Sequence, residues 1–211
     1  MQKRTFSILG DSISTFRGYN PHGYEIFYPF EGFDVLSVKE TWWSLLSARL
    51  NLTLIINESW AGSRISRTGS RPATSCFADE KRQQNLGGDL IIVFGGTNDY
   101  GAEEDPPTRA LFAKAYRDLV ESMGERHRAS TLYFCTPLQR TDHSLTAPNA
   151  QGWTQVDLAQ TIRDIVGEYP FAHLIDLALY PIATGDGFLT DGLHPSKRGM
   201  ETLASLIEAA L

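Results

Sequence analysis

Short apolar runs of strand length alternate with longer segments of helical periodicity along this chain, and that is the pattern of an α/β protein built around a parallel sheet. The runs fall at residues 4–9, 52–57, 89–95, 131–136 and 173–176, which predicts five parallel strands. Residues 41–50 set Trp42, Leu45, Leu46 and Leu50 on one helical face, and residues 108–128 do the same with Leu111, Ala115, Leu119 and Met123. The pattern returns at residues 155–169 through Leu158, Ile162, Ile165 and Val166, and in a last helix through Met200, Leu203, Leu206, Ile207 and Ala210. Pro195 suits the first turn of that last helix, where a missing N–H costs little. Trp42 suits a core position and Trp43 an interface, with nothing in the sequence to decide it.

Long irregular segments make up the rest, at residues 14–39, 59–77, 97–107, 138–152 and 177–193. Loops of this length are usually functional or disordered. Nearly all of them follow a predicted strand, so in an open parallel sheet they gather at the carboxyl edge, where ligands bind.

With 211 residues, one domain spanning residues 1–211 is expected, and 42% hydrophobic with 21% charged residues is ordinary for a soluble globular protein. The net charge of -6 and the lack of a Lys/Arg block argue against a nucleic-acid partner. Cys76 and Cys135 lie far apart without metal-ligand spacing and read as reduced, structural thiols. No H-x-H, H-E-x-x-H, G-x-G-x-x-G or Walker pattern occurs, so neither a metal nor a cofactor is expected. The apolar stretch from Phe6 to Leu9 is too short for a signal peptide, and no run reaches the roughly 18 apolar residues of a membrane span. If Met1 is the native start, a cytoplasmic location is expected; the oligomeric state is left open.

Four segments carry candidate chemistry. Gly10-Asp11-Ser12-Ile13 stands where the first strand ends, and a serine on a tight turn there can project its hydroxyl above the sheet edge. Taken alone, Gly-Asp-Ser is also a common turn composition. Asp191-Gly192-Leu193-His194-Pro195 precedes the last helix, and a carboxylate three residues before a histidine can accept its Nδ1–H and leave Nε2 free as a base. Equally, Asp191 can simply start a turn and His194 sit near a helix end. Gly95-Gly96-Thr97-Asn98-Asp99 follows the most apolar strand, where Asn98 can offer its amide to a developing oxyanion or cap a turn. After the second strand come Asn57-Glu58-Ser59-Trp60-Ala61-Gly62, with the Gly62 N–H a further donor.

Together these segments resemble, in residue type and order, the family blocks of SGNH hydrolases, also called GDSL-like esterases and lipases, over nearly the whole chain. Gly10-Asp11-Ser12 looks like the first block, with Ile13 where leucine is common; Asn57 and Gly62 resemble the second; Gly96-x-Asn98-Asp99 is similar to the third; and Asp191-x-x-His194-Pro195 is similar to the last. The resemblance implies a three-layer α/β/α flavodoxin-like fold. It also implies that Ser12 is the nucleophile, His194 the base and Asp191 its orienter, and that the Ser12 N–H, the Gly62 N–H and the Asn98 side chain form the oxyanion hole.

The expected partner is a small-molecule ester. The first long loop is rich in aromatics, among them Tyr19 and Tyr28, and Trp60 and Trp153 sit in other strand-end segments. Such rings can stack on a sugar, surround an acyl chain, or anchor a loop. Arg64, just past Gly62, can reach a substrate anion or remain solvated. With no continuous apolar lid helix and with His22, Glu25, Glu31 and Asp34 in that loop, the reading is a small acyl group, acetyl above all, on a carbohydrate or similar polar alcohol. The alternatives are a lysophospholipase or acyl-thioesterase, and a non-catalytic binding module.

Overall fold

The structure, a computed structural model, describes residues 3–211; Met1 and Gln2, and with them any expectation about a native start at Met1, lie outside the described residues. Its sheet has five parallel strands, β1 (Thr5–Gly10), β2 (Thr53–Ser59), β3 (Leu90–Phe94), β4 (Thr131–Cys135) and β5 (Ala172–Ile175), in the order β2-β1-β3-β4-β5. The chain steps from β1 outward to β2 and then returns to lay β3 on the other side of β1. This reversal is the topological switch point of a flavodoxin-like sheet, and the crevice outside it is where such folds bind ligands.

Side chains alternate across a strand, so a strand buried on both faces must be apolar throughout. In β3, Leu90, Ile92 and Phe94 enter one core, while Ile91 and Val93 enter the other. The first core is closed by α1 (Trp42–Leu50) and α6 (Lys197–Glu208), the second by α4 (Arg109–Arg126) and α5 (Gln155–Gly167). The helices start where side chains satisfy their first N–H groups: Thr41 accepts from Ser44, Thr154 and Asp157 form a reciprocal box, and Ser196 accepts from Gly199 at 3.1 Å. In α6, Met200, Leu203 and Ile207 are fully buried, each contributing about 1.5–3 kcal/mol. Leu203→Ala would cost about 2–5 kcal/mol by removing that area and leaving a cavity.

The sequence periodicity misses two elements, α2 (Glu80–Asn85) and α3 (Thr97–Tyr100). Helix α2, the segment Glu80-Lys81-Arg82-Gln83-Gln84-Asn85, is entirely polar and carries no apolar stripe; Asp79 caps it by accepting from Arg82. Helix α3 is a single turn. Strand β2 runs two residues past its apolar run, because Glu58 and Ser59 are buried polar residues in register with Leu9 and Gly10. Trp43 is buried like Trp42 and does not face outward: the Nε1–H of Trp42 donates to Ser14 Oγ and that of Trp43 to the Ser14 carbonyl. Both tryptophans therefore hold the turn that follows β1. Among the described residues no helix is long and apolar enough to cross a membrane.

Candidate active site

Ser12 begins a 3-10 turn (Ser12–Ser14) directly after β1. Asp11 caps that turn, its Oδ1 accepting the Ile13 N–H at 3.1 Å. Gly10 cannot be replaced easily, because a Cβ there would stand 2.5 Å from Ser59 Oγ. The Asn57 side chain closes the turn from β2, donating to the Ser14 carbonyl at 2.7 Å. These contacts leave the Ser12 side chain at the sheet edge, 5% exposed.

The loop before α6 brings the other end of the chain onto this serine. His194 Nε2 lies 3.0 Å from Ser12 Oγ, and its Nδ1 lies 2.8 Å from Asp191 Oδ2. With Asp191 ionised, Nδ1 carries the proton and donates, so Nε2 accepts from the serine hydroxyl. The other carboxylate oxygen of Asp191 accepts the N–H groups of His194 (2.7 Å) and Leu193 (3.0 Å), which fixes the carboxylate against the loop. Partial burial pushes the Asp191 carboxyl up, but the N–H and imidazole of His194, with the Leu193 N–H, together hold it below its ordinary value. Burial pulls the His194 imidazole below its ordinary 6.5, and Asp191 opposes that only in part. The imidazole is therefore neutral near pH 7, the state a general base requires.

The candidate oxyanion donors come from three strand ends. The N–H groups of Ser12 and Gly62 donate to no group among the described residues. Gly62 holds a left-handed φ of 75°, which a side chain would strain, and the Arg71 guanidinium packs where its Cβ would be. Asn98 donates from Nδ2 to the Ser63 carbonyl at 2.8 Å, so one amide hydrogen anchors the side chain and the second remains. Asp99 locks the same loop: its carboxylate accepts the N–H groups of Ile65 (2.8 Å) and Ser66 (2.9 Å) and the Ser66 hydroxyl (2.6 Å). Burial pushes the Asp99 carboxyl up to about 6 against those bonds, and burial pushes that of Asp11 up to about 7.

Two residues that the sequence reading does not single out organise the site. Arg82, fully buried on α2, donates to the carbonyls of Gly10, Glu58 and Ser75 and to Ser63 Oγ. One guanidinium thus ties the ends of β1 and β2 to the loop bearing Gly62. An arginine inside a polar run carries no sequence signal for such a role. Phe27 lies against His194, ring centroids 3.6 Å apart and planes 8° from parallel. It was one of seven aromatics in its loop, with nothing local to distinguish it.

The residues first considered for substrate contact disperse. Tyr28 is fully buried and its hydroxyl donates to the Pro195 carbonyl at 2.7 Å. Trp153 is 2% exposed, packs against Phe112 and Tyr100 in the second core, and donates from Nε1 to Pro107. Both are packing residues. Arg64 donates to Thr68 Oγ1 and to the carbonyls of Glu104 and Asp105, joining two loops. Tyr19 is half exposed and leans on Trp43. Trp60 stacks on Tyr24 with centroids 4.1 Å apart, and its backbone N–H donates to the Gly10 carbonyl, which ties its backbone to the end of β1. Among the described residues no group of three or more His, Cys, Asp or Glu side chains is arranged to hold a metal ion.

A model of the GDSL-like lipase/acylhydrolase family matches residues 4–211. A comparison with the curated proteins finds no match. Among solved structures, a Bacteroides ovatus protein classed as a GDSL-like lipase is 29% identical with a TM-score of 0.75, over 99% of this chain and 98% of its own. A Bacteroides uniformis protein classed the same way is 27% identical with a TM-score of 0.70, over 99% and 95%. A carbohydrate acetylesterase from Sinorhizobium meliloti shares the fold at 18% identity and a TM-score of 0.68, over 98% and 97%.

Proposed function

Because the chain belongs to the GDSL-like lipase/acylhydrolase family and is a carboxylic ester hydrolase, we propose that it removes a small acyl group, acetyl above all, from a carbohydrate or similar polar alcohol through a Ser12–His194–Asp191 triad. The observation that carries the triad is the unbroken hydrogen-bond line from Asp191 Oδ2 through the imidazole to Ser12 Oγ, 2.8 and 3.0 Å. In the first half-reaction Nε2 takes the serine proton as Oγ attacks the ester carbonyl, and the proton passes to the leaving alkoxide. Water then attacks the acyl-enzyme with the same base, releasing the acid and restoring Ser12. The negative oxygen of each tetrahedral intermediate lies among the Ser12 N–H, the Gly62 N–H and the free Asn98 amide hydrogen.

Narrow access supports the small acyl group. Ser12 is 5% and His194 8% exposed, and the Phe27 ring covers one face of the imidazole, so little of the triad is open to a bulky acyl group. The fold shared with the Sinorhizobium meliloti carbohydrate acetylesterase is consistent with a sugar ester. One observation favours a longer acyl chain instead, as in a lysophospholipase or acyl-thioesterase. A cavity of about 210 Å³ lies at the carboxyl ends of β3 and β4, its walls formed by Pro137, Leu138, Leu145 and Leu158 together with the polar Arg140 and Gln155.

The test is fluorophosphonate labelling followed by hydrolysis of acyl esters of increasing length and of acetylated sugars. Labelling at Ser12, its loss in Ser12→Ala and a C2 optimum are expected. Labelling elsewhere would sink the triad, and an optimum at C8 or longer would move the substrate to lipid or thioester.

A further inference from the structure

Residues 27 and 28 bridge the two chain ends that this reading of the site needs. The Phe27 N–H donates to Thr15 Oγ1 at 2.9 Å, and that hydroxyl donates to the Ser12 carbonyl at 2.9 Å. One residue on, the Tyr28 hydroxyl holds the Pro195 carbonyl beside His194. Between these anchors the Phe27 ring lies flat on the imidazole, Phe30 stacks on Phe27 at 5.3 Å, and Phe33 stands edge-on to His194 at 6.2 Å.

The hydrogen bonds to Asp191 and Ser12 hold the imidazole at two points, Nδ1 and Nε2. Within the broad angular range of those bonds the side chain can still swing about its Cα–Cβ and Cβ–Cγ bonds. A flat ring pressed on one face removes that freedom. We propose that Phe27 is a positioning residue for His194: its ring fixes the imidazole plane and keeps water off one face, so that Nε2 stays aimed at Ser12 Oγ.

The charged groups around His194 do not supply this restraint. Asp191 acts from its own loop, and Arg140 and Asp142, paired with each other on the segment after β4, act in opposite directions. From the residue 27–33 segment the neighbours are the rings of Phe27, Tyr28 and Phe33, with the Tyr28 hydroxyl turned to Pro195. Burial is the largest influence on the imidazole, and the Phe27 ring covers one of its faces.

The inference rests on the triad reading, so its test has a readout that does not depend on turnover. His194 is titrated by NMR, its signals assigned from their loss in His194→Gln, in the native protein and in Phe27→Ala, Phe27→Leu and Phe27→Tyr. Phe27→Ala is expected to raise the His194 pKa by about half a unit as water reaches the face. In parallel kcat is expected to fall roughly tenfold with KM little changed, since misplacing a catalytic group acts on the chemical step. Phe27→Leu keeps an apolar cover without a flat ring, so it should lower kcat while shifting the titration less; Phe27→Tyr should restore both. A His194 titration and a kcat unchanged in both Phe27→Ala and Phe27→Leu would overturn the proposal. Activity surviving in Ser12→Ala would overturn the triad reading instead, and leave the titration to judge Phe27 alone.

Discussion

Replacing Asp11 with asparagine should flatten the decline of stability between acid and alkaline pH. Asp11 is 1% exposed, its Oδ1 accepts the Ile13 N–H, and burial raises its carboxyl from 3.8 to about 7, with the Ile13 N–H and the Arg82 guanidinium acting the other way. A carboxyl whose folded pKa exceeds its unfolded pKa binds its proton more tightly when folded. Its contribution is therefore complete below the unfolded value and is lost as pH rises through the folded one. Roughly three pH units at 1.36 kcal/mol each give about 4 kcal/mol lost by the time the group is ionised in both states, of which about 1–2 is already lost at pH 5. Asparagine keeps the acceptor oxygen for Ile13 and has no charge to desolvate. Its amide donors add a constant that does not vary with pH. Urea unfolding of both proteins at about pH 5 and about pH 8.5 isolates the titrating part, and the variant should gain about 2–3 kcal/mol on the native protein between the two. Asp99, raised to about 6, titrates in both proteins; its charge helps to raise Asp11, so asparagine at position 11 also relieves Asp99 and acts in the same direction. A stability difference that is the same at both pH values would refute the buried-carboxyl reasoning.

Asn98→Ala should lower kcat about 10²- to 10³-fold with little change in KM, because the amide acts on the oxyanion and not on the ground-state ester; a rise in KM alone would refute it. The pH profile of kcat/KM should be level at neutral pH and fall with acid through a midpoint below the ordinary 6.5 of histidine, since burial lowers the His194 pKa and the base must be neutral. A midpoint above pH 7 would contradict the site's geometry. Arg82→Met removes hydrogen bonds to three buried carbonyls and one hydroxyl; the Gly10 and Ser75 carbonyls keep a donor in the Trp60 N–H and the Ser63 hydroxyl, so the full cost of about 1–3 kcal/mol for an unsatisfied group does not apply to those two, whereas Arg82→Lys can satisfy up to three of the four acceptors. Thermal melting should rank native above Lys above Met, and a Met variant as stable as the native protein would remove Arg82 from the account.

The candidate site was legible in part. Ser12, Asp191, His194, Gly62 and Asn98 stand in short segments whose composition carries meaning at fixed spacing, and the structure brings them to one sheet edge. Phe27 and Arg82 stand in no such segment. Phe27 matters because its N–H is pinned to Thr15 while its ring meets a histidine 167 positions later. Arg82 matters because α2 passes under the ends of β1 and β2. Tyr28 and Trp153 offered aromatic faces to a substrate on paper, and burial turned them to packing.

What the sequence by itself determined is local: strands where apolar runs are buried on both faces, helices where a stripe recurs and a side chain caps the first turn, glycines where the backbone must pass close. Those features follow from forces acting over a few residues. The order β2-β1-β3-β4-β5, the Phe27 ring against His194, the Arg82 guanidinium joining the strand ends to the loop that carries Gly62, and the raised carboxyls of Asp11 and Asp99 were decided only by the tertiary structure. Each depends on which distant segments share one low-dielectric space, and desolvation and stacking act through that proximity whatever the separation along the chain.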